Sequence, residues 1–341
     1  MALILFAPNV HTGGGRVLLD ALDETCADRV DQAIIDRRLA EVSSAFSKVA
    51  SLLVCNRLTS RMHAEWHLWC SARRGDTVLC LHSLPPLFPV RAHVVVFLQN
   101  RLLLEHGRLE GATLKTRMRV TVERLWGRHL QKRCSRYLVQ TPSMAAAVTS
   151  WLRLPVPVVV VPFAPSTPPV PEQADAQMKK RFDFVYVASG EAHKNHHYLL
   201  HAWRLLAEAD LRPALALTID QQLYPELAHE IGHHAEGLGL NIINLGMLTG
   251  SEVSRLYRAS SALVFPSLCE SFGLPLIEAA QHCLPIIASE LDYVRDVIEP
   301  VETFDPESPV SIARAVRRFL KYPAPITPVG TAEEFFAEVL R

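Results

Sequence analysis

The chain has 341 residues, 35 basic and 35 acidic, and a hydrophobic content of 49%. This length predicts two domains, each large enough for its own core. No apolar run reaches the ~18 residues of a membrane-spanning helix, so none is predicted. The zero net charge hides an asymmetry, because residues 1–165 hold 21 basic and 12 acidic residues, and residues 166–341 hold 14 and 23. A basic half beside an acidic half indicates one half facing an anionic surface; chance drift of charge is the alternative.

The N-terminal half alternates short apolar runs with amphipathic segments, the pattern of a parallel sheet covered by helices. Strands are predicted at 2–7, 31–36, 50–54, 77–81, 93–97, 136–139 and 157–161. Helices are predicted at 15–23, 40–47, 58–71, 113–132 and 143–152. Five prolines then stand between Val161 and Pro171. Because proline fixes φ and lacks an amide hydrogen, this segment is predicted to be an interdomain linker.

The second half repeats the alternation. Strands are predicted at 183–187, 214–219, 242–244, 262–265 and 285–287. Helices are predicted at 196–208, 224–238, 251–258, 275–282, 291–298 and 308–321. A proline-rich turn and an amphipathic segment at 332–340 follow. The predicted units are therefore residues 1–165, 166–325 and a C-terminal helix in 326–341.

The most informative segment is Glu270-Ser-Phe-Gly-Leu-Pro-Leu-Ile-Glu278, between a predicted strand and a predicted helix. In an open α/β sheet, ligands bind where the carboxyl ends of strands meet helix N-termini. Gly273 lets the backbone approach a ligand closely, and the amides after it can face an anion. Glu270 lies on the loop and Glu278 about one turn inside the helix. The pattern indicates a ligand with phosphate at one end and sugar hydroxyls at the other.

This segment resembles the Glu-x7-Glu motif of the retaining glycosyltransferases of family 4. That family has the α/β GT-B fold, two Rossmann-like domains facing each other across a cleft. A second stretch, 184–196, is similar to the strand, phosphate-binding loop and helix of the family. Lys194 falls on the family's lysine, whereas Ser189 stands where arginine is common. Either another basic residue replaces that arginine, or backbone amides hold the donor.

The resemblance implies roles for these residues. Glu278 would bind the ribose hydroxyls, Lys194 the diphosphate, and Glu270, the predicted catalytic residue, the donor sugar. The glycines after the first strand suit a phosphate-facing helix start, although Gly13–Gly15 form neither Gly-x-Gly-x-x-Gly nor a P-loop. The predicted donor-binding set is Gly14, Gly15, Ser189, Lys194, Glu270, Phe272, Gly273, Leu274 and Glu278.

The acceptor side is harder to predict. Many family members carry a histidine after the strand read here as 94–98, where this chain has Gln99 and Asn100. These two residues, His82 and His106 are the acceptor-side candidates. No general base is predicted, because the family's front-face mechanism lets the departing phosphate take the acceptor's proton. The protein then supplies positioning and electrostatics.

Residues 112–138 contain eight Lys or Arg residues and one acid, Glu123, with apolar residues at helical spacing. A basic amphipathic helix of this kind can bind an anionic membrane surface. The alternative is an ordinary domain helix with one face in the core.

The sequence predicts a transferase moving a hexose from a UDP- or GDP-sugar to a glycan or lipid-linked acceptor. Its resemblance is nearest to bacterial enzymes of O-antigen and other polysaccharide or lipopolysaccharide synthesis. No cofactor, divalent metal or nucleic acid is predicted, since no Asp-x-Asp motif occurs and the histidines near Lys194 lack metal spacing. Scattered cysteines and a first strand without signal-peptide features predict a cytoplasmic protein. The basic segment 112–138 adds the prediction that this protein is peripheral at the membrane. A sugar-nucleotide epimerase and a non-catalytic glycan-binding protein of the same fold are the alternatives.

Overall fold

The computed structural model describes residues 1–40, 45–55, 57–105, 113–165 and 180–323, together with residues 331, 332, 335 and 338. Two sheets, parallel throughout, form the framework, one before and one after the proline-rich segment. Helices or 3₁₀ turns lie in most of the crossovers that parallel pairing requires, whereas β4 and β5 are joined by the loop 81–92.

The N-terminal sheet has seven strands in the order β3-β2-β1-β4-β5-β6-β7. These strands are β1 (Leu3–Ala7), β2 (Gln32–Asp36), β3 (Ala50–Val54), β4 (Thr77–Cys80), β5 (His93–Phe97), β6 (Arg136–Val139) and β7 (Val158–Val160). Its helices are α1 (Gly13–Cys26), α2 (Arg37–Ala40), α3 (Leu58–Ser71), α4 (Leu114–Leu130) and α5 (Pro142–Trp151).

The C-terminal sheet has six strands in the order β10-β9-β8-β11-β12-β13. These are β8 (Phe182–Tyr186), β9 (Leu215–Leu217), β10 (Ile242–Asn244), β11 (Ser260–Phe265), β12 (Ile286–Ser289) and β13 (Glu302–Phe304). The helices around it are His196–Glu208, Pro225–Gly232, Gly250–Arg258, Leu274–Gln281, Asp292–Arg295 and Pro309–Phe319.

The twelve predicted strands are confirmed, with ends that shift by three residues or fewer. The sequence missed β13, because Phe304 is its one apolar and buried residue, so Glu302–Phe304 shows no apolar run. The predicted helix at 40–47 overlaps α2 at Ala40 but was wrong over 45–47, which belong to the 3₁₀ turn Ala45–Val49; residues 41–44 lie outside the described residues. The helix predicted over 224–238 ends at Gly232 and continues as a π turn over His233–Gly237. The predicted last segment, 326–341, lies almost entirely outside the described residues.

Both sheets reverse their direction of growth beside their first strand. The chain adds β2 and β3 on one side of β1 and then places β4 on the other side. In the same way β9 and β10 lie on one side of β8 and β11 on the other. Such a switch point opens a crevice at the carboxyl ends of the two strands, which is the usual ligand position in open α/β sheets. We call the loops 8–12 and 81–83 the N-terminal crevice and the loops 187–195 and 266–273 the C-terminal crevice.

The two domains touch through the loop that follows β11. Phe272 and Leu274 are buried in a cluster that otherwise belongs mainly to the N-terminal domain, with Val10, Leu18 and Phe97. Cross-domain polar contacts include Ser143 N to Asp296 Oδ2 at 2.8 Å, Thr141 Oγ1 to the Ser271 carbonyl at 3.5 Å and Cys269 Sγ to Glu105 Oε2 at 3.8 Å. The C-terminal crevice therefore opens toward the N-terminal domain.

Candidate functional site

The loop after β8 is held in shape by Asn195. This residue has φ +63°, a left-handed backbone that asparagine tolerates better than most residues. Its side-chain amide donates to the carbonyls of Pro266 at 3.0 Å and Pro306 at 2.8 Å. The short 3₁₀ turn Ala192–Lys194 is thereby tied to the loop after β11. The two loops of the C-terminal crevice form one hydrogen-bonded unit.

The central contact of this crevice joins Lys194 to Glu270. Lys194 Nζ lies 2.7 Å from Glu270 Oε1, and the two side chains are only 17% and 12% exposed. The buried Tyr186 hydroxyl supports the pair from below, donating to the Lys194 carbonyl at 2.8 Å and lying 3.0 Å from Ser267 Oγ. Two residues expected to bind different parts of one ligand thus lie in direct contact.

Glu278 lies one turn inside the helix Leu274–Gln281. Its Oε2 accepts a hydrogen bond from the Tyr257 hydroxyl at 3.1 Å. Burial raises the pKa of Glu278, and the Tyr257 hydrogen bond lowers it by less. A carboxylate has about four acceptor positions, so Tyr257 orients this group without saturating it.

Gly273 begins the same helix with φ +75°, and a Cβ at this position would come 2.9 Å from Leu276 Cδ1. Both facts require glycine here. The neighbouring Phe272 and Leu274 pack against the N-terminal domain instead of lying open to solvent. A Cβ on Gly14 would lie 3.4 Å from Leu274 Cδ1, so the start of α1 faces this loop directly. A Cβ on Gly15 would lie 3.5 Å from Gln99 Oε1, which places this predicted acceptor-side residue beside the glycines.

Ser189 is engaged locally. Its hydroxyl donates to Glu191. Burial raises the pKa of Glu191, but the Ser189 hydrogen bond and the charge of Lys194 lower it further, so the net pKa lies below its usual value. Gly190 lies under the Tyr224 ring, where a Cβ would come 2.4 Å from the ring carbon Cγ. No arginine stands here, and the hydroxyl of Ser189 already has an acceptor.

The four acceptor-side candidates differ in their surroundings. His82 Nδ1 lies 3.4 Å from the Phe6 carbonyl, and burial lowers the pKa of His82 to about 3. Gln99 is fixed by two hydrogen bonds. Its backbone N–H donates to Ser83 Oγ, and its side-chain Nε2 donates to the Leu81 carbonyl. Asn100 Oδ1 caps the 3₁₀ turn that follows by accepting from Leu102 N. His106 lies outside the described residues.

The histidines around Lys194 do not converge. His196 is buried against Tyr186, and burial lowers the pKa of His196 to about 3. His197 points away and pairs with Glu230 at 2.8 Å. Among the described residues, no three His, Cys, Asp or Glu side chains are grouped as metal ligands.

Helix α4 turns its apolar face outward. Val120 and Gly127 are its buried residues, whereas Leu114, Met118 and Val122 are at least 60% exposed. Two basic groups reach inward, because Arg124 and Arg133 donate to backbone carbonyls of Leu102, Pro86 and Leu87. Within the described part of the chain, no helix has the length and hydrophobicity needed to cross a membrane.

Sequence reasoning missed two residues that shape the site. Tyr257 stands 21 positions before Glu278, on another helix, and nothing in the spacing signals their contact. Asn195 could have been found, because asparagine just before a predicted helix is a cap signal. Its reach to two distant prolines needed the fold.

Residues 172–329 match the family model described as Glycosyl transferases group 1, and all six strands of the C-terminal sheet lie within this match. In sequence, the chain is similar to the Serotype-specific mannosyltransferase WbdA of Escherichia coli, 32% identical over 147 residues, or 42% of this chain and 18% of that protein. It is 29% identical to the O-antigen chain mannosyltransferase B of Escherichia coli over 115 residues, 33% of this chain and 30% of that protein. The matched part spans less than a third of either relative.

Solved structures are similar over nearly the whole chain. Anabaena Alr3699/HepE in complex with UDP-glucose superposes with a TM-score of 0.69 at 14% identity, covering 94% of this chain and 90% of that one. Sucrose-phosphate synthase from Thermosynechococcus elongatus superposes with a TM-score of 0.67 at 14% identity over the same shares. With the two parallel sheets, these likenesses confirm the predicted α/β fold of the GT-B type.

Proposed function

We propose that this protein is a retaining glycosyltransferase that moves a hexose from a nucleotide-diphosphate sugar to a glycan or lipid-linked acceptor. The observation that carries the proposal is the Lys194–Glu270 pair at the switch point of the domain that matches group 1 glycosyltransferases. Two relatives in sequence are named as mannosyltransferases, one of them for the O-antigen chain, which supports mannose and surface polysaccharide synthesis.

On binding, the donor would replace the contact between Lys194 and Glu270 with its own contacts to both side chains. A diphosphate brings negative charge for Lys194, and the hexose brings hydroxyl donors for Glu270. Because the pair is largely buried, each charge interacts more strongly than it would in water. Lys194 would also stabilise the negative charge that grows on the departing diphosphate in the transition state. Ser189 is already hydrogen bonded to Glu191, so amides of the C-terminal crevice would supply the remaining donors.

The nucleoside would lie at Glu278. Tyr257 orients this carboxylate and leaves acceptor positions for two ribose hydroxyls. The glycine-rich start of α1, which faces Leu274, would close the other side of the diphosphate. UDP and GDP donors both fit this set of contacts.

The acceptor would enter from the N-terminal domain near Gln99 and Asn100. At neutral pH His82 is uncharged and has little basicity, because burial lowers its pKa to about 3. This supports front-face attack, in which the departing phosphate oxygen takes the acceptor's proton while the protein positions both substrates. The mechanism needs no metal step. Acceptors joined to a lipid would place the protein at the cytoplasmic face of the membrane, with the segment 112–138 toward the anionic surface.

The test is donor binding without metal. Thermal unfolding is measured with UDP, GDP and their common sugar conjugates, for the wild type and Glu278→Ala. We expect one nucleotide to stabilise the wild type. We expect this nucleotide to bind Glu278→Ala about 30- to 1000-fold more weakly, because hydrogen bonds to a charged group are lost. The loss of binding free energy is roughly 2–4 kcal/mol.

Glu226→Ala is the matched control, because Glu226 is an exposed glutamate in the first turn of another helix of the same domain. It should bind like the wild type. Failure of every nucleotide to stabilise the wild type would contradict the proposal. Conversion of the donor without an acceptor would point to an epimerase instead.

A further inference from the structure

A second helix of the N-terminal domain carries the same unusual surface as α4. Its exposed apolar residues follow the spacing i, i+4, i+8, i+11, which places four side chains on one helix face. All eight side chains of the two helices are between 41% and 79% exposed. On α3 they are Leu58, Met62, Trp66 and Trp69; on α4 they are Leu114, Met118, Val122 and Leu125.

The two stripes adjoin. The guanidinium of Arg61 lies over the ring of Trp126, with 5.9 Å from Cζ to the ring centroid. Arg61 directly precedes Met62, and Trp126 directly follows Leu125, so the contact between the helices runs along the edge of both stripes. The buried residues Leu68 and Val120 face the domain core. The outer faces of α3 and α4 therefore form one apolar surface, which we call the α3–α4 face.

The charges around this face have one sign. Lys115, Arg117 and Arg119 are exposed on α4. The acids of the two helices, Glu65 and Glu123, are buried and half-buried, and burial raises the pKa of each. Neither helix presents a fully exposed carboxylate, so the flanks of the face complement an anionic partner.

A basic cavity lies at the start of α3. It has a volume of about 680 Å³ and is lined by Arg37, Arg57 and His63, with the hydroxyls of Thr59 and Ser60. This cavity lies beside Leu58, the first residue of the apolar stripe. Phosphate groups of a lipid surface would meet these arginines where the acyl region meets the stripe.

We infer that the α3–α4 face docks on an anionic phospholipid bilayer, with Trp66 and Trp69 inserted at the headgroup level. This inference rests on the proposed membrane partner and extends it from one helix to two. Indole rings favour the membrane interface, because they combine a large apolar ring with a polar N–H group. Contact through two adjoining stripes would hold the N-terminal domain in one orientation on the surface, with the cavity at the headgroups.

The experiment is vesicle flotation of the full chain with neutral phosphatidylcholine vesicles and with vesicles containing phosphatidylglycerol. The first variant is Trp66→Ser/Trp69→Ser. The second is Lys115→Gln/Arg119→Gln. Controls remove equivalent groups from the C-terminal domain, as Leu223→Ser/Val301→Ser and Arg204→Gln/Arg314→Gln. Thermal unfolding of every variant verifies folding.

We expect the wild type to float with anionic vesicles and to be released by salt. Each α3–α4 variant should partition at least about tenfold less, and the controls should match the wild type. Brominated phosphatidylglycerol should quench the tryptophan fluorescence of the wild type, and the tryptophan variant should lose most of this quenching. Equal flotation of all variants would overturn the inference, as would a concentration-dependent dimer that the tryptophan variant abolishes. Nucleotide binding in solution is measured in parallel, so failure of the docking is distinguishable from failure of the donor site.

Discussion

The two crevices of this protein share one strand topology but carry different chemistry. In the C-terminal crevice the loops bring opposite charges together, with Lys194 and Glu270 in contact at 2.7 Å. In the N-terminal crevice one loop carries His82, a histidine that burial keeps neutral at pH 7, and the other leads into the glycine-rich start of α1. Strand topology therefore determines where a crevice forms, whereas the side chains at the strand ends determine what the crevice can bind.

The two domains also differ in how they use buried carboxylates. Glu278 in the C-terminal domain lies beside the crevice, oriented by Tyr257. Glu65 in the N-terminal domain supports the backbone instead, because its Oε2 accepts from Leu87 N at 2.7 Å. Burial raises the pKa of both groups. The same electrostatic shift thus accompanies a ligand-facing role in one domain and a structural role in the other.

The largest effect is expected from removing one charge of the C-terminal crevice. Glu270→Gln keeps the size of the side chain but removes the ion-pair partner of Lys194 and the carboxylate facing the donor sugar. We expect turnover to fall by about 100- to 1000-fold, with a smaller change in donor affinity. The measurement is kcat together with the donor dissociation constant. Glu302→Gln, which breaks a more exposed ion pair with Arg318 in the same domain, should change turnover little. Turnover of Glu270→Gln at the wild-type level would contradict the catalytic role assigned to the charged pair of the C-terminal crevice.

A smaller effect is expected from Glu65 as pH rises. Burial raises the pKa of Glu65 from 4.5 to about 7, so between these values the folded state keeps a proton that the unfolded state releases. The stability contribution of Glu65 is therefore greatest below pH 4.5 and is lost as pH rises through 7, by up to about 3 kcal/mol. Urea unfolding of the wild type and Glu65→Gln at pH 5 and pH 8 measures it.

The wild type should lose stability relative to Glu65→Gln between these two pH values. The exposed Glu226→Gln should leave the pH dependence unchanged. Parallel pH dependences for the wild type and Glu65→Gln would show that this carboxyl group does not titrate in the expected window. Donor binding should be insensitive to Glu65→Gln, in contrast to Glu278.

The smallest effect compares one glycine from each domain. Gly13 and Gly273 both have positive φ, but a Cβ has open space at Gly13 and meets Leu276 at Gly273. We expect Gly13→Ala to cost about 1 kcal/mol of unfolding free energy, from backbone strain alone. Gly273→Ala should cost about 2–3 kcal/mol, because the clash adds to the strain. Chemical denaturation of both variants measures the difference, and equal losses would mean that Leu276 moves aside without cost.

Much of the fold could be predicted from the sequence because its signals are local. Short continuous apolar runs such as Val94–Phe97 predict the buried strands of a parallel sheet. Glycine and proline mark loops. The strand, loop and helix around Glu270 were readable for the same reason, and so was the candidate role of Glu278. β13 was not, because two of its three residues, Glu302 and Thr303, are polar and give it no apolar run.

Local sequence patterns were enough to predict the two-sheet α/β class and the residue types that follow β8 and β11. The tertiary structure brought Lys194 to Glu270 across 76 positions, placed Tyr257 to orient Glu278 and left His82 half-buried. It also decided that the apolar stripes of α3 and α4 face outward. The reason is physical: burial, pKa and ion pairing depend on which distant segments come together, and helical periodicity defines a face without specifying what covers it.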